Sequence, residues 1–348
     1  MTQLTQLLKQ EYARHPKMEL VDAAKFIFQH TLGGGHLIKD EKAAARWLKQ
    51  ETGSCQAVQE PLFSALGNGF CRMHLYPVKQ TGISDETVAG MFLSSAKRPV
   101  SNAEKLTENL QAIKTLPFDT AAVDAYLQAY QKDGCPLVRH SATYRAAYHP
   151  AYRVVAEDME RYFSLLCRID ALLQTNNDVL VAIDGKCASG KTTLASMLQT
   201  VFQDCTVFHM DDFFLRPAQR TAARLEEPGG NVDRERFFDE VLQPAAAGKT
   251  VRYRPYDCQS GVLLPTAQEK THTRLTIVEG AYSRHPLLDG CYTLRVFLDV
   301  DAQRQRERIQ KRNGEAMLRR FEEIWIPLEN RYFAAFFIRE TSDLLFTV

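Results

Sequence analysis

The stretch DVLVAIDGKCASGKTTLASMLQTVF, residues 178–202, decides how the second half of the chain is read. An unbroken apolar run from Val179 to Ile183 leads into a glycine-framed loop, and beyond it apolar residues recur three and four apart. Strand, loop and helix in that order are the setting in which GxxxxGK[ST] cradles phosphate, and Gly185, Gly190, Lys191 and Thr192 fit the pattern. At average residue usage such a match arises by chance in about one chain in a hundred of this length. Each residue type has a physical reason. Glycines let successive backbone N–H groups turn inward and let phosphate oxygens approach without a Cβ in the way, while the following helix presents its positive end. Ser189 and Thr193 complete the candidate nucleotide loop, with Lys191 set to bridge the β and γ phosphates and the Thr192 hydroxyl to bind Mg²⁺.

Composition bounds what this loop can serve. The 348 residues are 45% hydrophobic and 24% charged, enough for two domains with separate cores. A net charge of +1 supplies no global attraction for nucleic acid or an anionic membrane, so anion recognition has to be local. The opening residues lack the long apolar core of a signal peptide and no window approaches 18 consecutive apolar residues, so a soluble cytoplasmic protein is the expectation. The eight cysteines are scattered singly without a CxxC pair, as reduced thiols are, which argues against a disulfide framework or structural zinc.

The rhythm changes along the chain. Up to about residue 175, stretches such as LVDAAKFIFQHTL, EKAAARWLKQE and AAVDAYLQAYQK repeat apolar residues at helical spacing, and a mostly helical domain over 1–175 is expected. Gly33 to Gly35 and Pro117 read as helix stops, Asp119 as a cap, and AEDMERYFSLLCRIDALLQTNND as a long helix. Beyond it, VLVAI, CTVFHM, VRYRPY, RLTIVEG and LRVFLDV alternate with helical segments, which predicts an α/β domain over 176–348, a parallel sheet with helices on both faces.

Phosphate binding alone does not separate a kinase from a GTPase, a motor or a regulator; the other strand ends do. CTVFHMDDFFL closes its strand with Asp211 and Asp212, whose side chains point to opposite faces, so one carboxylate can face the phosphates. At a strand's C-terminal end Asp211 can accept a hydroxyl proton or support the metal. Glu279, at the end of RLTIVE, is the acidic group that would orient Mg²⁺. Arginines crowd DAQRQRERIQKRNGEAMLRRF: Arg304, Arg308 and Arg312 share a helical face, and a cationic stripe of this kind can close over phosphates as a lid.

With GKCASGKTT, MDDFF, GGNVDRERF, YRPYD, VEGAYS and the arginine-rich segment in this order, residues 178–346 resemble the uridine kinase and phosphoribulokinase family of P-loop small-molecule kinases. The resemblance implies that ATP and Mg²⁺ are used, that Asp211 is the base, and that Thr192 and Glu279, beside Asp211, serve the metal. It also implies that Asp233 grips a substrate hydroxyl, that Tyr256 and Asp257 line the acceptor pocket, and that Arg308 and Arg312 reach the transferring group. After YRPYD, CQSG leaves Gly261 near where the nucleoside kinases of the family have a His, which sets uridine or cytidine in doubt as acceptor. A small hydroxyl-bearing metabolite is the expected partner, without nucleic acid or membrane, and a homo-oligomer is open. Two other readings remain: a nucleotide-switched regulator without an acceptor, and a bifunctional enzyme whose first half has chemistry of its own.

That first half carries two polar clusters. HTLGGGHLIKD puts His30 and His36 around three glycines, and RHSATYRAAYHPAYRVV gathers Arg139, His140, Tyr144, Arg145, Tyr148, His149, Tyr152 and Arg153. They read either as an anion pocket with Arg145 and Arg153 as bidentate donors, or as a helix stop and an amphipathic helix packed against the kinase domain; the second is favoured. A metal site from His36, Arg72, His74 and His140 has no spacing to support it.

Overall fold

A computed structural model describes the chain except for residues 1, 36, 37, 39 and 99–102, together with the side chain of residue 103. The polypeptide forms two compact units, Met1–Asp170 and Ala171–Val348.

In the first unit the helices Gln3–Arg14, Leu20–Leu32, Glu41–Ser54, Asp85–Ala96 and Thr120–Lys132 follow the helical spacing. Asp119 caps the last of these by accepting from the Ala122 N–H, and Gly33, at φ 59°, ends the second. The expectation of an almost wholly helical unit is corrected by a three-stranded antiparallel sheet: β1 (Phe63–Gly67), β2 (Phe70–His74) and β3 (Tyr152–Ala156), with β2 central. Its hairpin is encoded by Gly67-Asn68-Gly69, all at positive φ, since a tight turn matching strand twist needs left-handed residues at its tip. The segment expected as an amphipathic helix near residue 150 is instead a short helix, Ala142–Tyr148, closed by a left-handed His149, with Pro150 barring its continuation into β3. The expected long helix is also broken, into Glu157–Arg161 and Phe163–Thr175.

In the second unit, β4 (Val179–Gly185), β5 (Cys205–His209), β10 (Leu275–Glu279), β11 (Leu294–Asp299) and β12 (Leu344–Thr347) form one parallel sheet flanked by helices, in the order β12-β11-β4-β10-β5. β4 and β10 are buried along their whole length, which is why they read as continuous apolar runs rather than alternating ones. VRYRPY does not join this sheet. β6 (Val251–Tyr253) alternates buried and exposed residues and pairs antiparallel with β9 (Gln268–Lys270), while β7 (Tyr256–Asp257) pairs with β8 (Val262–Leu263). The adjacent β4, β10 and β5 are in register, Glu279 lying opposite both Ile183 and His209, so their C-terminal ends open onto one crevice.

Candidate functional site

The loop after β4 is shaped before any phosphate reaches it. Gly185 has φ 140°, and a Cβ there would come within 2.2 Å of the Leu298 carbonyl oxygen. Gly190, at φ 97°, is the N-cap of the helix Lys191–Val201 and has open space where a Cβ would stand. Lys191 folds back, its Nζ donating to the carbonyl oxygens of Gly185 at 2.8 Å and Lys186 at 2.9 Å. Ser189 is buried, and its Oγ has no hydrogen-bond partner among the described residues. A buried hydroxyl left without a partner calls for an explanation such as a bound ligand. Thr193 follows Thr192 on the first turn of the helix.

Across the crevice, the Thr192 hydroxyl donates to Glu279 Oε1 at 3.0 Å, and the same oxygen receives His209 Nδ1 at 2.7 Å. The bond to Glu279 raises the His209 pKa, against partial burial. Asp211 lies in the 3₁₀ turn Met210–Phe213 directly after β5. Its carboxyl is open to solvent yet sits in a crevice dense with protein, so desolvation raises its pKa; Glu279 adds to this, while Lys191 and His209 oppose it. Asp212 accepts from the Tyr253 hydroxyl at 2.9 Å; the two carboxylates were expected on an extended strand end, but β5 stops at His209 and both lie in the 3₁₀ turn. Lys191, Thr192, Glu279 and Asp211 are therefore brought to one place by three neighbouring strand ends.

Of the two arginines expected at the transferring group, Arg308 reaches the loop, its Nη1 donating to the Ala188 carbonyl at 3.1 Å. Arg312, in the last turn of the helix Ala302–Asn313, donates to Asn313 Oδ1 at 2.7 Å. Arg304 pairs with Asp301 and Arg306 with Glu322 on the exposed side. At the acceptor end, buried Asp233 caps the helix Arg234–Phe237 and accepts from Gln219 Nε2 at 2.8 Å. The Tyr256 hydroxyl accepts from Arg220 Nη2 at 2.8 Å, close to where a Cβ on Gly261 would stand. Asp257 is engaged locally, its carboxylate accepting from the backbone N–H groups of Gln259 and Ser260, both at 3.1 Å, in the turn between β7 and β8.

Sequence reasoning passed over the residues that hold the loop. Asp184, fully buried, accepts from the Gly185 N–H at 2.7 Å, the Arg284 N–H at 3.1 Å and the Tyr332 hydroxyl at 2.8 Å. Glu329 accepts from the Cys187 N–H at 2.9 Å, and Gln305 donates to the Cys187 carbonyl at 3.0 Å. An acid ending an apolar strand was the available signal for Asp184; apart from Gly185, its partners lie a hundred or more positions away, and no local pattern announces them.

In the first unit the two clusters part. His30 Nδ1 donates to the Leu66 carbonyl, 2.6 Å away, a packed interior position, while His36 lies outside the described residues. Arg145 bonds its own helix at the Ser141 carbonyl, and Arg153 pairs with Glu51 at 2.7 Å, so neither forms the bidentate fork of the less favoured reading. His140 instead joins Asp22 Oδ1 at 2.7 Å to the Tyr152 hydroxyl at 2.6 Å. Arg72, on β2, pairs with Glu11, and His15 bridges Glu11 and Glu60. Among the described residues no three His, Cys, Asp or Glu side chains converge as metal ligands.

These buried histidines set a pH profile. Burial, reinforced by Arg72, pushes both His74 and His140 down to about 4, against Glu60 and Asp22 respectively. His15 is pulled down by burial but raised more by Glu11 and Glu60, to about 9. The stability that His74 and His140 contribute is complete above their unfolded value of 6.5 and lost as pH falls toward about 4. That of His15 is complete below 6.5 and lost as pH rises through about 9. Denaturation of the N-terminal unit followed by a probe placed in it is expected to give a maximum near pH 6.5, falling on both sides; a flat profile from about pH 4 to about pH 9 contradicts this.

No protein-family profile and no curated protein matches the chain. Among solved structures, a possible uridine kinase from Bacillus stearothermophilus is 19% identical with a TM-score of 0.43, over 54% of this chain and 99% of that one. A putative fructose transport system kinase from Silicibacter sp. TM1040 is 20% identical with a TM-score of 0.39, over 50% of this chain and 91% of that one. D-glycerate 3-kinase from Cryptococcus neoformans var. grubii is 15% identical with a TM-score of 0.36, over 50% and 87%.

Proposed function

We propose that the chain is an ATP-dependent phosphotransferase that moves the γ-phosphoryl group to a hydroxyl of a small metabolite, in the manner of uridine kinase-like enzymes. The observation that carries this reading is the convergence of Lys191, Thr192, Glu279 and Asp211 at the ends of β4, β10 and β5. A pure switch has use for the loop; a solvent-open carboxyl with a raised pKa beside it is what a hydroxyl acceptor requires.

The phosphates lie on the N–H groups of the loop and the first turn after Gly190, with the Ser189 hydroxyl as an added donor. Lys191 exchanges its carbonyl partners for β and γ oxygens, and Arg308 faces the same loop from the other side. Thr192 Oγ and Glu279 would hold Mg²⁺, which would supply charge neutralisation to the phosphates. Asp211 takes the acceptor hydroxyl's proton while that oxygen bonds to the γ phosphorus and the bond to the β–γ bridging oxygen breaks, releasing ADP. Asp233, Tyr256 and Gly261 form the acceptor side. Positioning and charge neutralisation provide most of the acceleration.

The test is the full chain incubated with ATP, Mg²⁺ and a panel of nucleosides, sugars, polyols and hydroxy acids, read by mass. One acceptor gaining a single phosphoryl group with matching ADP release is expected. Acceptor-independent hydrolysis alone, or no ATP consumption across the panel, favours the regulator instead.

A further inference from the structure

We propose that His209 is a positioning residue of the nucleotide site: by holding Glu279 through one oxygen, it sets that carboxylate to receive the divalent cation that accompanies the phosphates. The inference rests on the reading of this crevice as a metal–nucleotide site, and it holds whether or not an acceptor hydroxyl follows.

The sheet makes the contact. His209 is the last residue of β5 and lies opposite Glu279, the last of β10, in the parallel register. Residues paired across neighbouring strands show their side chains on one face, so the imidazole meets the carboxylate with no loop between them. Nδ1 lies 2.7 Å from Glu279 Oε1, the oxygen that also accepts from the Thr192 hydroxyl at 3.0 Å. Two donors, one from the adjacent strand end and one from the first turn of the helix Lys191–Val201, therefore converge on a single atom. Oε2 accepts no hydrogen bond among the described residues. A carboxylate fixed by one oxygen and free at the other is set to take a cation, or a water bound to one. The bond needs only a proton on Nδ1, which the neutral Nδ1–H tautomer and the imidazolium both carry.

The fold by itself asks little of His209. β5 is at the edge of the parallel sheet and the His209 side chain is 38% exposed, so water could serve it in place of Glu279. Glu279 is the buried member of the pair and needs a partner, which sets a merely neutralising role for His209 against a positioning one. The two roles differ in sign. A partner that only neutralised Glu279 would compete with the cation for it, and its removal would tighten metal binding. A partner that orients a ligating group contributes about tenfold to a hundredfold to metal affinity, and its removal weakens binding.

The experiment uses the full chain with ADP, and Mn²⁺ as the probe for the cation, free Mn²⁺ being read by electron paramagnetic resonance. His209→Asn places its amide nitrogen where Nδ1 stands and keeps the bond; His209→Gln carries the amide one carbon further and breaks it. Mn²⁺ affinity in the ADP complex is expected to fall at least about tenfold in His209→Gln and to recover in His209→Asn, while ADP binding in EDTA stays native in both. The proposal is overturned if His209→Gln binds Mn²⁺ as tightly as the native chain or more tightly, if His209→Asn loses as much as His209→Gln, or if ADP binding in EDTA falls in step with Mn²⁺ binding. Should His209→Gln fail to fold, His209→Ala, which also removes the donor, takes its place. A native chain that binds no Mn²⁺ with ADP overturns the metal–nucleotide reading along with this inference, an outcome distinct from equal binding by native and variant chains.

Discussion

Asp211→Asn keeps ATP bound and loses phosphoryl transfer by about three orders of magnitude, within the range that a positioned proton acceptor contributes. Asn matches Asp in shape, so the turn Met210–Phe213 is preserved, and removing one carboxylate relieves its repulsion with Glu279. Nucleotide affinity is therefore expected to change little while kcat collapses. Because desolvation in the crevice raises the Asp211 pKa and the base must be ionised to act, kcat/KM of the native chain falls as pH drops, along a limb set higher than that of an ordinary aspartate. That limb disappears in the variant. Transfer by Asp211→Asn within tenfold of the native chain would move the base elsewhere.

Lys191→Ala is expected to weaken nucleotide binding and to lower transfer at least about a thousandfold, the scale on which a preorganised charge at the transferring group acts. The ammonium fastens the two ends of its loop through the Gly185 and Lys186 carbonyls, so its loss removes a charge and leaves two acceptors without their donor. Three other anchors remain: Asp184 to Gly185, Glu329 to Cys187, and Gln305 to Cys187. The circular dichroism spectrum should be native and the stability within about 1–2 kcal/mol. Full turnover by this variant would end the phosphotransferase reading.

The second unit was largely legible because its information is local. A buried parallel strand declares itself as an apolar run, and a phosphate loop as glycines with Lys-Thr at fixed spacing; β4, β5, β10 and β11 lie where those runs are. β12 was missed: it is four residues at the sheet's edge, half exposed, and its pairing with β11 joins segments almost fifty positions apart. VRYRPY misled because a one-faced strand has the same residue types as a core strand over so short a span. In the first unit, LGNGF carried a clear hairpin signal that the surrounding helical rhythm obscured. The anion pocket weighed around Arg145 and Arg153, the less favoured reading of that crowded stretch, does not form. The charged cluster that the structure does build joins Arg72, Glu11, His15 and Tyr152, which come from three separate stretches and meet only through the packing of the first helix on the small sheet.

The close approach of β11 to Gly185 changes what the opening glycine of the motif testifies to. With the Leu298 carbonyl where a Cβ would go, that position is closed to side chains by the fit of two strands, whether or not a nucleotide ever binds. A descendant that had given up catalysis would still need glycine there, so its presence is a record of architecture. The diagnostic letters are the ones the framework does not require: Lys191 and Thr192, and Asp211 across the crevice, whose loss in a relative would mark a retained scaffold with a retired chemistry.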